Sequence, residues 1–203
     1  MKKTHKAIRY AFATRRAWWF TASSRSRERF ARTTLGSFWL GLSNLFSITA
    51  LAIVYGTVFK VPNFREYSIY LGIGLVTWNA IATSLTSAPN ILRANANNIK
   101  NTNIHPIFYT LEEWSFQIQT FAQSFILVLL ALAFFNPYLI VHFFSVSILP
   151  LINLLIFIYW VPLIICLIGA SYEDLFQLIP IITQAIKEQQ LLISDLLNKV
   201  KER

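Results

Sequence analysis

Charge disappears from this chain in three long windows. No Asp, Glu, Lys or Arg occurs from Thr33 to Phe59, from Tyr67 to Leu92, or from Trp114 to Tyr172, windows of 27, 26 and 59 residues. A helix needs about 20 apolar residues to cross roughly 30 Å of hydrocarbon at about 1.5 Å per residue. A buried soluble helix accounts for one such window but not for three, so the pattern predicts an all-α, polytopic membrane protein. The first two windows each hold one span, at about 36–59 and 67–88. The third is too long for a single pass, because its 59 residues as one helix would run about 90 Å. Asn136–Pro137 divides it, since proline removes a backbone donor and disfavours helix at the residue before it. The spans that result lie at about 114–135 and 148–170. Pro150 and Pro162 fall in the second of these, which predicts a kink, or a short interfacial helix ahead of the span proper.

The polar segments between the windows differ in kind. Residues 1–32 form a basic arm with ten Lys/Arg, one acid (Glu28), and interleaved Tyr10, Phe12, Trp18, Trp19, Phe20 and Phe30. Beside a membrane span, such a mixture predicts an amphipathic helix in the headgroup layer. Adjacency to the spans also argues against the other use of a basic patch, nucleic acid. Lys60–Glu66 is a short loop containing Pro62. The segment 89–113 is the one sizeable polar island between spans, rich in asparagine, marked by Pro89 and Pro106, and closed by Glu112–Glu113. The tail 185–203 is charged, with Leu192, Leu196 and Val200 at helical spacing, and predicts an exposed amphipathic helix. Residues 33–184 then constitute the membrane domain.

Composition sharpens this picture. The chain is 55% hydrophobic and only 13% charged, with a formal net charge of +9, whereas soluble domains carry roughly a quarter charged residues. With the N-terminus inside, the cytoplasmic segments hold sixteen Lys/Arg and the outer loops two. The bias places the N-terminus, the 89–113 segment and the tail in the cytoplasm. The first apolar window begins only after the 32-residue arm, which does not fit a cleavable signal peptide. In the second span Gly72, Ala80, Ser84 and Ala88 recur at spacings that allow close backbone approach, either within the chain or at a dimer contact.

Candidate chemistry is sparse. His5, His105 and His142 are scattered, and Cys166 is the single cysteine, so neither a metal cluster nor an intramolecular disulfide is expected. Gly72 and Gly74 are the only close glycine pair, and no phosphate-loop Lys-Ser/Thr follows. An intramembrane enzyme would need a convergent acid, base or nucleophile in the spans, and none is visible. If the protein transports, its energy comes from a partner. The aromatic load includes Trp39, Trp78, Trp114 and Trp160 near expected membrane interfaces. Headgroup-level anchoring and stacking on a carbohydrate both use such rings.

At this point the order of motifs resembles a known family, the ABC-2 type permeases that export O-antigen, capsule or teichoic-acid polysaccharides. Arg27, Arg29 and Phe30 precede Leu35, Gly36 and Trp39 as in the basic helix and first span of that family. EYSIYLGIGLVTWNAIATSLTSAPNIL is similar to its second span, and NIKNTNIHPIFYTLEEW to the cytoplasmic helix-bearing loop that docks on the ATPase. The likeness runs from about Arg15 to Gln184. It implies a bacterial inner-membrane permease subunit that forms a homodimer and pairs with an ABC ATP-binding subunit, the partner and not this chain binding ATP and Mg. The cargo implied is a lipid-linked polysaccharide. On this resemblance Asn90, Arg93, Asn97, Lys100, Asn103, Glu112 and Glu113 couple to the ATPase. Arg25, Arg27, Arg29 and Arg32 meet lipid phosphate, and Trp39, Phe46, Tyr55 and Trp78 line a glycan path.

Two departures accompany the resemblance. After the fourth span the family has a basic turn, where this chain has Ser171, Tyr172, Glu173, Asp174 and Leu175. The family then continues through re-entrant segments and a sixth span, so the expectation is of a C-terminally truncated permease. The alternative expectation is a transport-inactive membrane remnant or scaffold that at most binds the ATPase subunit.

Overall fold

The computed structural model describes residues 2–36, 38–58, 63–102, 104–172 and 174–201, and every regular element among them is helical. The basic arm forms α1 (Lys2–Ala13) and α2 (Arg15–Phe30), separated at Thr14. Gly36, at φ 56°, turns the chain from α2 into α3. That left-handed backbone strains any residue with a Cβ. α3 spans Phe38–Val58 and α4 spans Phe64–Ser87. A 3-10 turn (Ala88–Asn90), α5 (Ile91–Ala94) and α6 (Ala96–Asn101) follow directly. α7 (Ile107–Phe135) is followed by α8 (Tyr138–His142), a π-helical turn (Phe143–Ser147), α9 (Ile148–Gly169) and α10 (Leu175–Lys201).

Among the described residues three helical runs are long and apolar enough to cross a membrane: Phe64–Asn101, Ile107–Phe134 and Ile148–Gly169. Phe38–Val54 is a shorter apolar helix. The chain is thus an all-helical protein with membrane-spanning character, and its outside is as apolar as that demands. Phe134, Leu149 and Tyr138 are 91, 78 and 81% exposed. A soluble surface rarely gathers so many bare large side chains, and lipid would cover them.

α7 is the hub. It packs against α2, α3, α4 and α9, and the core it shares with α3, α4 and α9 comprises Ile48, Val76, Ala80, Phe121, Phe125, Val128, Leu132 and Ile158. The small-residue stripe of α4 packs inside the chain: Gly72, Ala80 and Ser84 are buried, and Leu132 Cδ1 lies 2.9 Å from where a Cβ on Gly72 would stand.

Several expected boundaries move. The break at Asn136–Pro137 is present, with Asn136 extended at φ −144° and ψ 99°. The helix that holds the third expected span, α7, begins at Ile107, so Glu112 and Glu113 lie inside that helix and do not mark its start. The polar segment is helical over Ala88–Asn90, Ile91–Ala94 and Ala96–Asn101 and again from Ile107. Pro89 sits in the first positions of a 3-10 turn, where its missing N–H costs nothing, and so does not stop the chain turning. The short helix expected ahead of span four is α8 with its π-helical turn, while Pro162 is buried within α9. The C-terminal helix starts at Leu175, ten residues before the expected tail, and packs against α4 and α9. The side chains of Leu192, Leu196 and Val200 lie outside the described residues, as does that of His142.

Candidate functional site

α2 reaches α7 because its facing positions are small. Ala22 and Ser26, four residues apart, are buried at 0 and 5% exposure, and Ser115 on α7 is buried at 0%. Close approach brings Arg25 onto α7, where its Nη1 donates to Glu113 Oε2 at 2.6 Å. The guanidinium also lies over the Phe116 ring, 4.3 Å from its centroid. Further along, the rings of Trp18 and Trp114 lie 6.2 Å apart, those of Tyr10 and His105 5.7 Å apart, and Gln119 Nε2 donates to the Trp19 carbonyl at 3.4 Å. The arm is therefore fastened along the first half of α7.

Glu113 carries the connection onward. It is buried, and its second oxygen accepts from Gln117 Nε2 at 2.8 Å. That nitrogen also donates to Ser87 Oγ at 3.4 Å, and Gln117 Oε1 accepts from Thr83 Oγ1 at 3.2 Å. One polar chain thus joins α2, α7 and α4. Glu112 is half-buried beside it, within the electrostatic reach of Arg25 and Glu113. A cleft of about 370 Å³ opens over this cluster, lined by Arg25, Ser87, Asn90, Asn95, Glu112 and Glu113 among others. Behind it, an internal space of about 10 Å³ lies between Ser84, Thr110, Glu113, Gln117 and Tyr159. That is roughly the room one water needs, with polar partners on several sides.

One turn deeper on α4 the polar seam resumes. Asn79 Nδ2 donates to Asn44 Oδ1 at 2.9 Å, and Asn44 Nδ2 donates to Ser124 Oγ at 3.2 Å. Asn79, Thr83 and Ser87 follow one another at spacing four, so one face of α4 supplies all three. Between lipid-exposed helices such bonds are the available glue.

Of the expected coupling residues, Asn90, Glu112 and Glu113 line the cleft together. Arg93, Asn97 and Lys100 are exposed on α5 and α6, outside it, and Asn103 lies outside the described residues. Arg25 is drawn away from the other three arginines by Glu113. Arg27, Arg29 and Arg32 are exposed, with Arg29 5.7 Å from the Phe30 ring centroid. Trp39 and Phe46 lie bare on α3 at 50 and 64% exposure, whereas Trp78 on α4 is half-buried. The Tyr55 side chain is outside the described residues. None of the three described rings borders the cleft; a separate apolar groove of about 430 Å³ is lined by Phe121, Phe125, Phe143 and Phe157 instead. Sequence reasoning missed Gln117, Thr83, Ser87, Asn79, Asn44 and Ser124. Their signal was polar side chains at helical spacing inside charge-free windows.

Among the described residues no group of three His, Cys, Asp or Glu could hold a metal ion. Compared with protein-family profiles, curated proteins and solved structures, the chain matches none.

Proposed function

We propose that the chain is the membrane-spanning permease subunit of an ABC exporter that moves a lipid-linked polysaccharide across the bacterial inner membrane, driven by a separate ATP-binding subunit. The observation that carries this reading is the Arg25–Glu113–Gln117 connection at the end of the bundle where the helical segment 88–101 forms the tip of the hairpin made by α4 and α7. A partner pressing on the hairpin would displace α4 and α7 together with the basic arm, because one bonded chain links all three. Arg93, Asn97 and Lys100 are exposed on that hairpin, as a docking face requires. The loop charge bias supports a cytoplasmic location for both hairpin and arm. Arg27, Arg29 and Arg32, all exposed, are the cations left for lipid phosphate.

The test is co-purification of the chain with an ATP-binding subunit from its native membrane, followed by charge reversal at Arg93 and Lys100. The expected result is loss of the complex and of glycan export, with the chain itself still inserted. Retention of surface glycan in a strain lacking the chain would refute the transport reading.

A further inference from the structure

Arg65 stands where the apolar windows end. The charge-free stretch of α4 begins two residues later, at Tyr67, and Phe134 on α7 lies one residue before that helix ends. Together they border a cavity of about 420 Å³, lined by Phe64, Arg65, Ser68, Ile69 and Phe134. Helix packing fixes its walls. Phe64 lies so close to α3 that a Cβ on Gly56 would meet its ring at 2.6 Å. The Ser68 hydroxyl is already engaged, donating to the Phe64 carbonyl at 2.8 Å. Phe134 is 91% exposed. Arg65 is exposed and forms no ion pair or hydrogen bond among the described residues. Glu66, the acid next to it in the chain, does not line the cavity.

A single cation over an uncharged apolar wall calls for a ligand built in the same two parts, an anionic head on an apolar stem. Inorganic phosphate would answer the guanidinium but leave the rings bare. A hydrocarbon chain would cover the rings but offer the guanidinium no acceptor. The level along the bundle narrows the choice further. An arginine at the end of a membrane span reaches the headgroup layer, where lipid phosphates lie. Guanidinium and phosphate also match in shape, two parallel N–H donors meeting two oxygens. We infer that this cavity is a phospholipid site, with Arg65 holding the phosphate and Phe64, Ile69 and Phe134 covering the start of an acyl chain. Arg65 precedes Ser87 on α4 by twenty-two residues, about 33 Å of helix, so the site is separate from the cleft at Glu113. The inference rests on the membrane-spanning character of α4 and α7. It depends neither on the cargo nor on which way up the chain is inserted.

The experiment uses the full chain in vesicles, with alkaline carbonate extraction to establish insertion. One probe is a phosphatidylglycerol with a photoreactive group near the glycerol end of an acyl chain. The other is a diacylglycerol with the same chains and no phosphate, and labelled residues are read by mass spectrometry. At Ile69 and Phe134 the phosphatidylglycerol labels about fivefold more than the diacylglycerol, the size expected of one basic group at an anionic surface. At Leu149 and Ile156, 78 and 51% exposed on a helix without Lys or Arg, the two probes label alike. Arg65→Gln removes the preference and leaves diacylglycerol labelling unchanged, while Arg65→Lys keeps a preference. Equal labelling by both probes in the native chain, or an Arg65→Gln chain that loses both together, overturns the inference. So does a preference abolished by inorganic phosphate but not by chloride of equal ionic strength, which would mark a site for the free anion. A chain that carbonate extracts loses the membrane premise itself, and with it the proposed permease, so the two failures are told apart.

Discussion

Arg25 and Glu113 form one ion pair but stand in different surroundings. The arginine side chain is 48% exposed and the carboxylate 9%. Truncating Arg25 leaves a buried carboxylate with only the Gln117 amide, whereas neutralising Glu113 lets Arg25 turn to water. Arg25→Ala is therefore expected to cost about 2 kcal/mol, less than a fully buried pair because the arginine is half solvated. Glu113→Gln should cost about 1 kcal/mol. In the double variant the cost should fall below the sum by about 1 kcal/mol, which unfolding in detergent can measure as a double-mutant cycle. Glycines separate in the same way. A Cβ at Gly169 would lie 2.8 Å from Pro89 Cα, which is backbone, while at Gly72 it meets the terminal Leu132 Cδ1 at 2.9 Å. Gly169→Ala must push α9 off the hairpin and should lower stability by about 1–3 kcal/mol. Gly72→Ala should be tolerated, because a methyl at the end of a leucine can swing aside.

The α3–α4–α7 seam sets the strength of the bundle at the scale of elements. Asn44→Leu strips a partner from both Asn79 and Ser124, and should destabilise the α3 contact by roughly 1–2 kcal/mol, read as a lower unfolding temperature in detergent. Where such elements lie was largely legible in the sequence, because loss of charge over a bilayer's width leaves few other structures. Their ends were less legible. Glu112–Glu113 looked like a boundary, yet α7 runs through both, since Arg25 and Gln117, distant or uncharged in sequence, satisfy Glu113. The asparagine-rich island has poor intrinsic helix propensity. It is helical because Ala88, Ile91, Tyr109 and Cys166 form a second small core, a tertiary contact that no local pattern announces. The arm's basic pattern was plain, but not that Ala22 and Ser26 would seat it on α7. The site was thus half visible: its charged ends could be read, and its uncharged links could not.

For the whole molecule, the proposed coupling turns on which end of the bundle faces the cytoplasm, because the proposed ATPase partner would reach the hairpin and cleft from only one side. The bundle itself is indifferent, since its core would pack identically either way up. The proposed orientation rests on lysine and arginine in the connecting segments, sixteen in the arm, the central segment and the tail against two in the other loops. Asn63, before α4, and Asn98, in α6, are both exposed and fall at opposite ends of that helix pair. With Cys166 buried, each can carry a lone reactive thiol. In intact cells a reagent that cannot cross the bilayer should label Asn63→Cys and spare Asn98→Cys until the membrane is permeabilised. The reverse pattern would put the hairpin outside, beyond the reach of ATP, and the coupling role of Arg93, Asn97 and Lys100 would fall with it.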